Sequence, residues 1–177
     1  MRIDHVNLAV QDLETTIVRL RERLGLGVQR MPAGAGAHVP LADHQYLELH
    51  TAAIPGFGDF IRHHAREGDR WYGWSVRPSA PGPFEGRRFG VDEGTAFTAW
   101  SGTLARLDEM TESRGLVPYV TAYDDGIDLD AIFAAKHADA RHDVAVGTIT
   151  AVVLEPGRGV TEVRVDVDGS ERVIPLT

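Results

Sequence analysis

The chain has 177 residues, a formal net charge of -8, a sequence pI near 5.4 and 43% hydrophobic residues, enough for one sizeable domain core. That acidic balance, with no Lys/Arg cluster to override it locally, argues against nucleic acid and against membrane surfaces as partners. Cysteine is absent, which excludes disulfides, zinc ribbons and a thiol nucleophile, so any metal must rest on carboxylates and the eight histidines.

Residues 2–10 alternate, with Val6, Leu8 and Val10 on one side and Ile3, His5, Asn7 and Ala9 on the other, which predicts a strand. Asp12 is placed to cap a helix in which Leu13, Ile17, Leu20 and Leu24 recur at helical spacing before Gly25 and Gly27 end it. Two short extended runs follow at 37–41 and 45–49, joined by a turn at Ala42-Asp43-His44, so the opening reads β, α and then a β-hairpin. The spacing next predicts a short helix at 60–66, a strand at 71–76, a Pro/Gly-rich loop at 78–86 and strands at 94–100 and 116–122. A helix over 129–140 is expected behind Asp128, then a strand at 148–154 and a hairpin of 160–167 with 172–176 across Asp168-Gly169. The first residues carry charge, unlike a secretory leader, and no stretch reaches membrane-helix length, so a cytoplasmic protein is expected.

Two segments carry a resemblance. The run Ile3-Asp4-His5-Val6-Asn7-Leu8-Ala9-Val10-Gln11-Asp12-Leu13, closed by Leu24-Gly25-Leu26, resembles the opening β-α unit of the glyoxalase, bleomycin-resistance and extradiol-dioxygenase relatives, the vicinal oxygen chelate superfamily. Tyr46-Leu47-Glu48-Leu49 is similar to the last strand of that superfamily's first module. The resemblance implies an α+β fold of paired βαβββ modules whose curved mixed sheet encloses a cup, within one domain spanning 1–177. The first module is expected at about 1–77 and a divergent, degenerate second module at about 87–177.

By position, the resemblance makes His5 and Glu48 metal ligands, and an imidazole with a carboxylate from neighbouring strands suits zinc, nickel, manganese or iron(II). In the second module the strand at 148–154 aligns best with the first strand, yet it offers no imidazole at the place of His5, and 172–176 offers no acid at the place of Glu48. His50, two residues after Glu48, shares its face with Tyr46 and is the favoured third ligand. His38 depends on the length of a turn, and His142 ranks below His50. Asn7, Tyr46, Trp74 and Trp100 are candidates for the wall of a ligand pocket, the two tryptophans within an aromatic set of Trp71, Tyr72, Trp74, Phe97 and Trp100 that could face a cavity or fill the core.

The plain alternatives stand beside these. His5 could be a histidine hydrogen-bonded within its strand, and Glu48 could meet an arginine such as Arg77 or Arg88 instead of a metal. His63 and His64 read as solvated positions on a polar helix. Asp124-Asp125-Gly126 lacks the glutamate that ends a calcium loop, and neither a phosphate loop nor a nucleophile elbow is present. The resemblance therefore implies a small-molecule enzyme, a metal-dependent lyase, isomerase or dioxygenase with Glu48 or a histidine moving the proton, or else a metal-free binding protein of the bleomycin-resistance type, with an enzyme that uses acid-base groups in the cup without metal as a third reading. A homodimer is implied by the habit of the family.

Overall fold

A computed structural model of the chain describes residues 2–79, 87–90, 96–99, 115–116, 118–123 and 128–177. Trp100, the Asp124-Asp125-Gly126 segment and most of the 78–86 loop lie outside them.

The first fifty residues build β1 (Arg2–Ala9), α1 (Leu13–Leu24), β2 (Gln29–Arg30), β3 (Gly36–Pro40) and β4 (Tyr46–His50). Asp12 caps α1 by accepting a hydrogen bond from the Thr15 amide at 3.2 Å, and Gly25 ends it in the left-handed conformation at φ 67°. Where β3 begins, the chain passes so close to β4 that a Cβ on Gly36 would lie 1.8 Å from the Leu49 carbonyl oxygen, which only glycine tolerates. The middle of the chain gives α2 (Gly58–His64), β5 (Arg70–Arg77), β6 (Arg87–Gly90), β7 (Ala96–Ala99) and β8 (Tyr119–Tyr123). The last third gives α3 (Leu129–Lys136), β9 (Val146–Glu155), β10 (Gly159–Val167) and β11 (Ser170–Val173). Asp128 caps α3 through the Ala131 amide, and Asp168 (φ 52°) with Gly169 (φ 71°) makes the tight turn between β10 and β11.

The described strands form one mixed sheet in the order β2-β3-β4-β1-β5-β8-β7-β6 and a three-stranded antiparallel sheet in the order β11-β10-β9, an α+β architecture. One face of the large sheet is apolar. Val6 and Leu8 of β1, Val39 of β3, and Leu47 and Leu49 of β4 join Leu20 of α1 and Val163 and Val165 of β10 in a single buried cluster. Gln45 ties the two sheets together, its amide donating to the Ile3 carbonyl at 2.8 Å and accepting from the Ile149 amide at 2.7 Å. Among the described residues no helix is long and apolar enough to cross a membrane.

Pairing within the large sheet departs from the expected alignment. β9 lies in the small sheet and does not stand in for a second β1. That place belongs to β5, which runs antiparallel to β1 with Ser75 opposite His5, and parallel to β8 with Ser75 opposite Tyr119. β1 runs parallel to β4 with His5 opposite Tyr46, so the two strand pairs repeat one another across the β1/β5 seam. The period-2 pattern at 148–154 correctly marks a strand, but alternation alone does not say which sheet a strand joins. The β1/β5 register slips twice, leaving Asp4 as the extra residue on β1 and Tyr72 as the extra residue on β5.

Candidate functional site

Alternation along β1, β3 and β4 places Asn7, His5, His38, Tyr46, Glu48 and His50 on the face opposite the apolar cluster. The two bulges add Asp4 and Tyr72, residues that strict alternation would send to the core face. From the second half come Ser75 and Arg77 on β5 and Tyr119, Thr121 and Tyr123 on β8.

Glu48 is the hub. Nε2 of His38 and of His50 stand 3.3 and 3.4 Å from its Oε1, Nε2 of His5 is 3.7 Å from Oε2, and the Asn7 side-chain amide donates to Oε2 at 2.8 Å. Burial works against its ionisation, but the charge of His50, hydrogen bonds from His38 and His50 and the charge of His5 together hold the carboxyl well below the usual range. Its side chain is 18% exposed while those of His5 and His38 are 6% and 7%, so a small molecule entering this cluster meets the carboxylate first.

His5 is fixed at both ring nitrogens. Nδ1 lies 2.7 Å from Oδ1 of Asp4, and Nε2 contacts the Tyr119 hydroxyl, which itself donates to Oδ1 of Asn7 at 2.7 Å. Tyr46 stacks on the His5 ring with centroids 4.7 Å apart and planes 15° apart. Behind His5, fully buried Asp4 accepts from Nε of Arg77 at 2.7 Å. Burial raises the Asp4 carboxyl, yet His5 and Arg77 outweigh it and keep it below the ordinary value. The Tyr72 hydroxyl contacts Nδ1 of His50, a second phenol-imidazole contact leading to Glu48. Burial, followed by the nearby negative charge of Glu48, pushes the hydroxyls of Tyr46, Tyr72 and Tyr119 well above the usual tyrosine range, so all three are neutral phenols at pH 7.

The expected site residues thus divide. His5, Asn7, Tyr46, Glu48 and His50 come together, and His38 joins them. Trp74 packs against the apolar cluster and donates from Nε1 to the Gly115 carbonyl at 2.9 Å, while the ring on the site's face is that of Tyr72. Trp100 lies outside the described residues. Arg77 pairs with Asp4 and not with Glu48. His142 accepts from the Gly27 amide at 3.0 Å, away from the cluster. His64 is buried against Phe60 and Tyr72, where solvation had been expected.

Three imidazoles and a carboxylate have the donor chemistry of a divalent-metal site. Their arrangement does not fit one. Nε2 of His38 and of His50 face one Glu48 oxygen and Nε2 of His5 faces the other, Nε2 of His5 is also engaged by Tyr119, and no group among the described residues has the spacing to hold an ion. Among the described residues, the positions across the seam that match His5 and Glu48 carry no imidazole or carboxylate. Ser75 stands opposite Tyr119 as His5 stands opposite Tyr46, Thr121 lies two residues beyond Tyr119 as Glu48 lies two beyond Tyr46, and the two hydroxyls bond each other at 2.5 Å.

A comparison with curated proteins finds no match. A family model for a glyoxalase-like domain matches residues 3–163, from β1 through most of β10. The chain therefore belongs to the glyoxalase-like domain family of the vicinal oxygen chelate superfamily, and with it to proteins that bind or transform small molecules.

Proposed function

We propose that this chain is a cytoplasmic, homodimeric enzyme that moves a proton on a small carbonyl or vicinal-oxygen substrate, as a lyase or isomerase does, with Glu48 as the base. The observation that carries this reading is a partly exposed, ionised carboxylate ringed by His5, His38 and His50 on the polar face of the sheet. Those imidazoles keep Glu48 deprotonated and ready, but they also weaken it as a base. The His38 and His50 contacts at 3.3 and 3.4 Å are long, and a substrate that displaces them restores basicity as it binds.

The test is deuterium exchange at the carbon beside the carbonyl. A panel of α-hydroxycarbonyls and thiol adducts of α-dicarbonyls is incubated with protein in deuterated water and followed by proton NMR, after chelation and again with zinc, nickel, manganese or iron(II). Exchange by chelated protein that disappears in Glu48→Gln supports the reading. Exchange that appears only with metal hands the polarising role to an ion on His5, Glu48 and His50. Tight binding of panel members with no exchange under any condition makes the protein a binder of the bleomycin-resistance kind.

A further inference from the structure

In the superfamily a divalent ion polarises the substrate oxygen, and here the side chains that would hold it are otherwise engaged. The positions matching His5 and Glu48 across the seam are Ser75 and Thr121, 0% and 1% exposed and bonded to each other. What the second half does bring to the polar face is phenol. Of its tyrosines, Tyr119 reaches furthest into the cluster, with its hydroxyl against both Nε2 of His5 and Oδ1 of Asn7. Asn7 spans from there to the base, because its Nδ2 donates to Glu48. Donation to a carboxylate fixes which end of the Asn7 amide is nitrogen, so Oδ1 faces Tyr119 and the phenol proton points into the cluster.

We propose that Tyr119 makes the electrophilic contact that an ion makes elsewhere: its hydroxyl donates to the substrate carbonyl oxygen while Glu48 takes the proton from the neighbouring carbon. The inference rests on the Glu48 reading given above. In the step, the C–H bond breaks and its proton goes to a Glu48 oxygen. The released electron pair becomes a C=C bond, and the carbonyl π pair moves onto oxygen as an enolate that accepts the Tyr119 hydrogen bond. For an α-hydroxycarbonyl, return of the proton to the former carbonyl carbon, with the hydroxyl proton passing to the enolate oxygen, completes an isomerisation. No oxidant or co-reactant is required. A phenol that stays neutral in this setting is a donor suited to an enolate: its hydroxyl rests against His5 and donates to Oδ1 of Asn7 before substrate arrives, and its one proton turns from Asn7 to the carbonyl oxygen as substrate binds.

The probes are 4-nitrophenol and 3,4-dinitrophenol, whose phenolates copy a planar enolate and are followed by visible absorbance with chelated protein. Glu48→Gln copies the protonated base that faces the enolate, so it is expected to bind phenolate more tightly than wild type. Adding Tyr119→Phe to that background is expected to weaken binding by about tenfold to a hundredfold, the loss of one hydrogen bond to a charged oxygen. Tighter binding in Glu48→Gln with no effect of Tyr119→Phe overturns the Tyr119 assignment and leaves Glu48 standing as base. Weaker binding in Tyr119→Phe with no effect of Glu48→Gln upholds Tyr119 and removes Glu48. Failure of both wild type and Glu48→Gln to bind phenolate overturns the assignment outright. Should Tyr119→Phe not fold by circular dichroism, 3-fluorotyrosine is incorporated at the chain's four tyrosines and its fluorine resonances are assigned by Tyr→Phe changes at Tyr46, Tyr72 and Tyr123. A shift of the Tyr119 resonance on adding phenolate then supports the assignment, and an unmoved resonance overturns it.

Discussion

The two strand pairs on either side of the β1/β5 seam share a pairing scheme and differ in chemistry. β1 with β4 presents His5, Asn7, Tyr46, Glu48 and His50, while β5 with β8 presents Ser75, Arg77, Tyr119, Thr121 and Tyr123 at the corresponding places. The backbone scheme is thus held by apolar residues and register, which are indifferent to what the polar face carries. One half keeps ionisable groups clustered around a carboxylate, and the other keeps hydroxyls, phenols and one paired arginine. On that division, substitutions in the first half should damage proton transfer and those in the second half, Tyr119 excepted, should damage stability alone.

The largest effect is expected at Glu48. Glu48→Gln should slow deuterium exchange by about 10²–10⁴-fold, the usual contribution of a positioned base. Exchange retained within about threefold of wild type would move the chemistry off the first half and dissolve the contrast.

Next comes the pair that braces His5. Asp4→Asn strands the Arg77 guanidinium, whose side chain is 7% exposed, and is expected to cost about 3–5 kcal/mol in urea unfolding. Removing both charges in Asp4→Asn/Arg77→Met should recover much of that loss, since nothing charged is then left unpaired. The same carboxyls set the acid limit. Asp4 and Glu48 are both held below their ordinary values of 3.8 and 4.5, so their stabilisation is complete above those values and drains away as pH falls through the lower folded ones. Unfolding midpoints taken from pH 6 downward should therefore fall below about pH 4.5, and fall less in Glu48→Gln, where one of the two groups no longer titrates.

Much of the first half was legible in the sequence because it obeys simple periods. Val6, Leu8 and Val10 against His5 and Asn7, the Asp12 cap, the Gly25 stop and the shared face of Tyr46, Glu48 and His50 all follow from alternation or helical spacing. What alternation does not show lies where the period breaks. Asp4 and Tyr72 reach the polar face only because each is the extra residue of a bulge, and a bulge leaves no mark in the pattern of residue types. The same slip explains why Trp71 and Trp74 both pack toward the apolar cluster while Tyr72 turns the other way. Tyr119 was hidden for another reason. Its place beside His5 comes from a parallel pairing 44 residues distant, Ser75 with Tyr119, and parallel partners cannot be read from local sequence. The glycine at the start of β3 is a local mark of close strand approach. Gly36→Ala should cost about 2–3 kcal/mol, since the added Cβ must push the Leu49 carbonyl away and disturb the strand that carries Glu48 and His50.

The smallest expected effect is the one that bears most directly on the second half. Ser75 and Thr121 bond each other in a place with almost no solvent access. Ser75→Ala leaves the Thr121 hydroxyl without its partner, Thr121→Val leaves that of Ser75, and each should cost about 1–2 kcal/mol. In the double variant no hydroxyl is left stranded, so its cost should be less than the sum of the two by about 1 kcal/mol, a coupling that a double-mutant cycle in urea resolves. The deuterium-exchange rate should stay within about threefold of wild type in all three variants. A tenfold or greater loss of rate without loss of fold would show that the hydroxyl pair touches the reaction, and that the polar faces on the two sides of the seam are less unlike than their residues suggest.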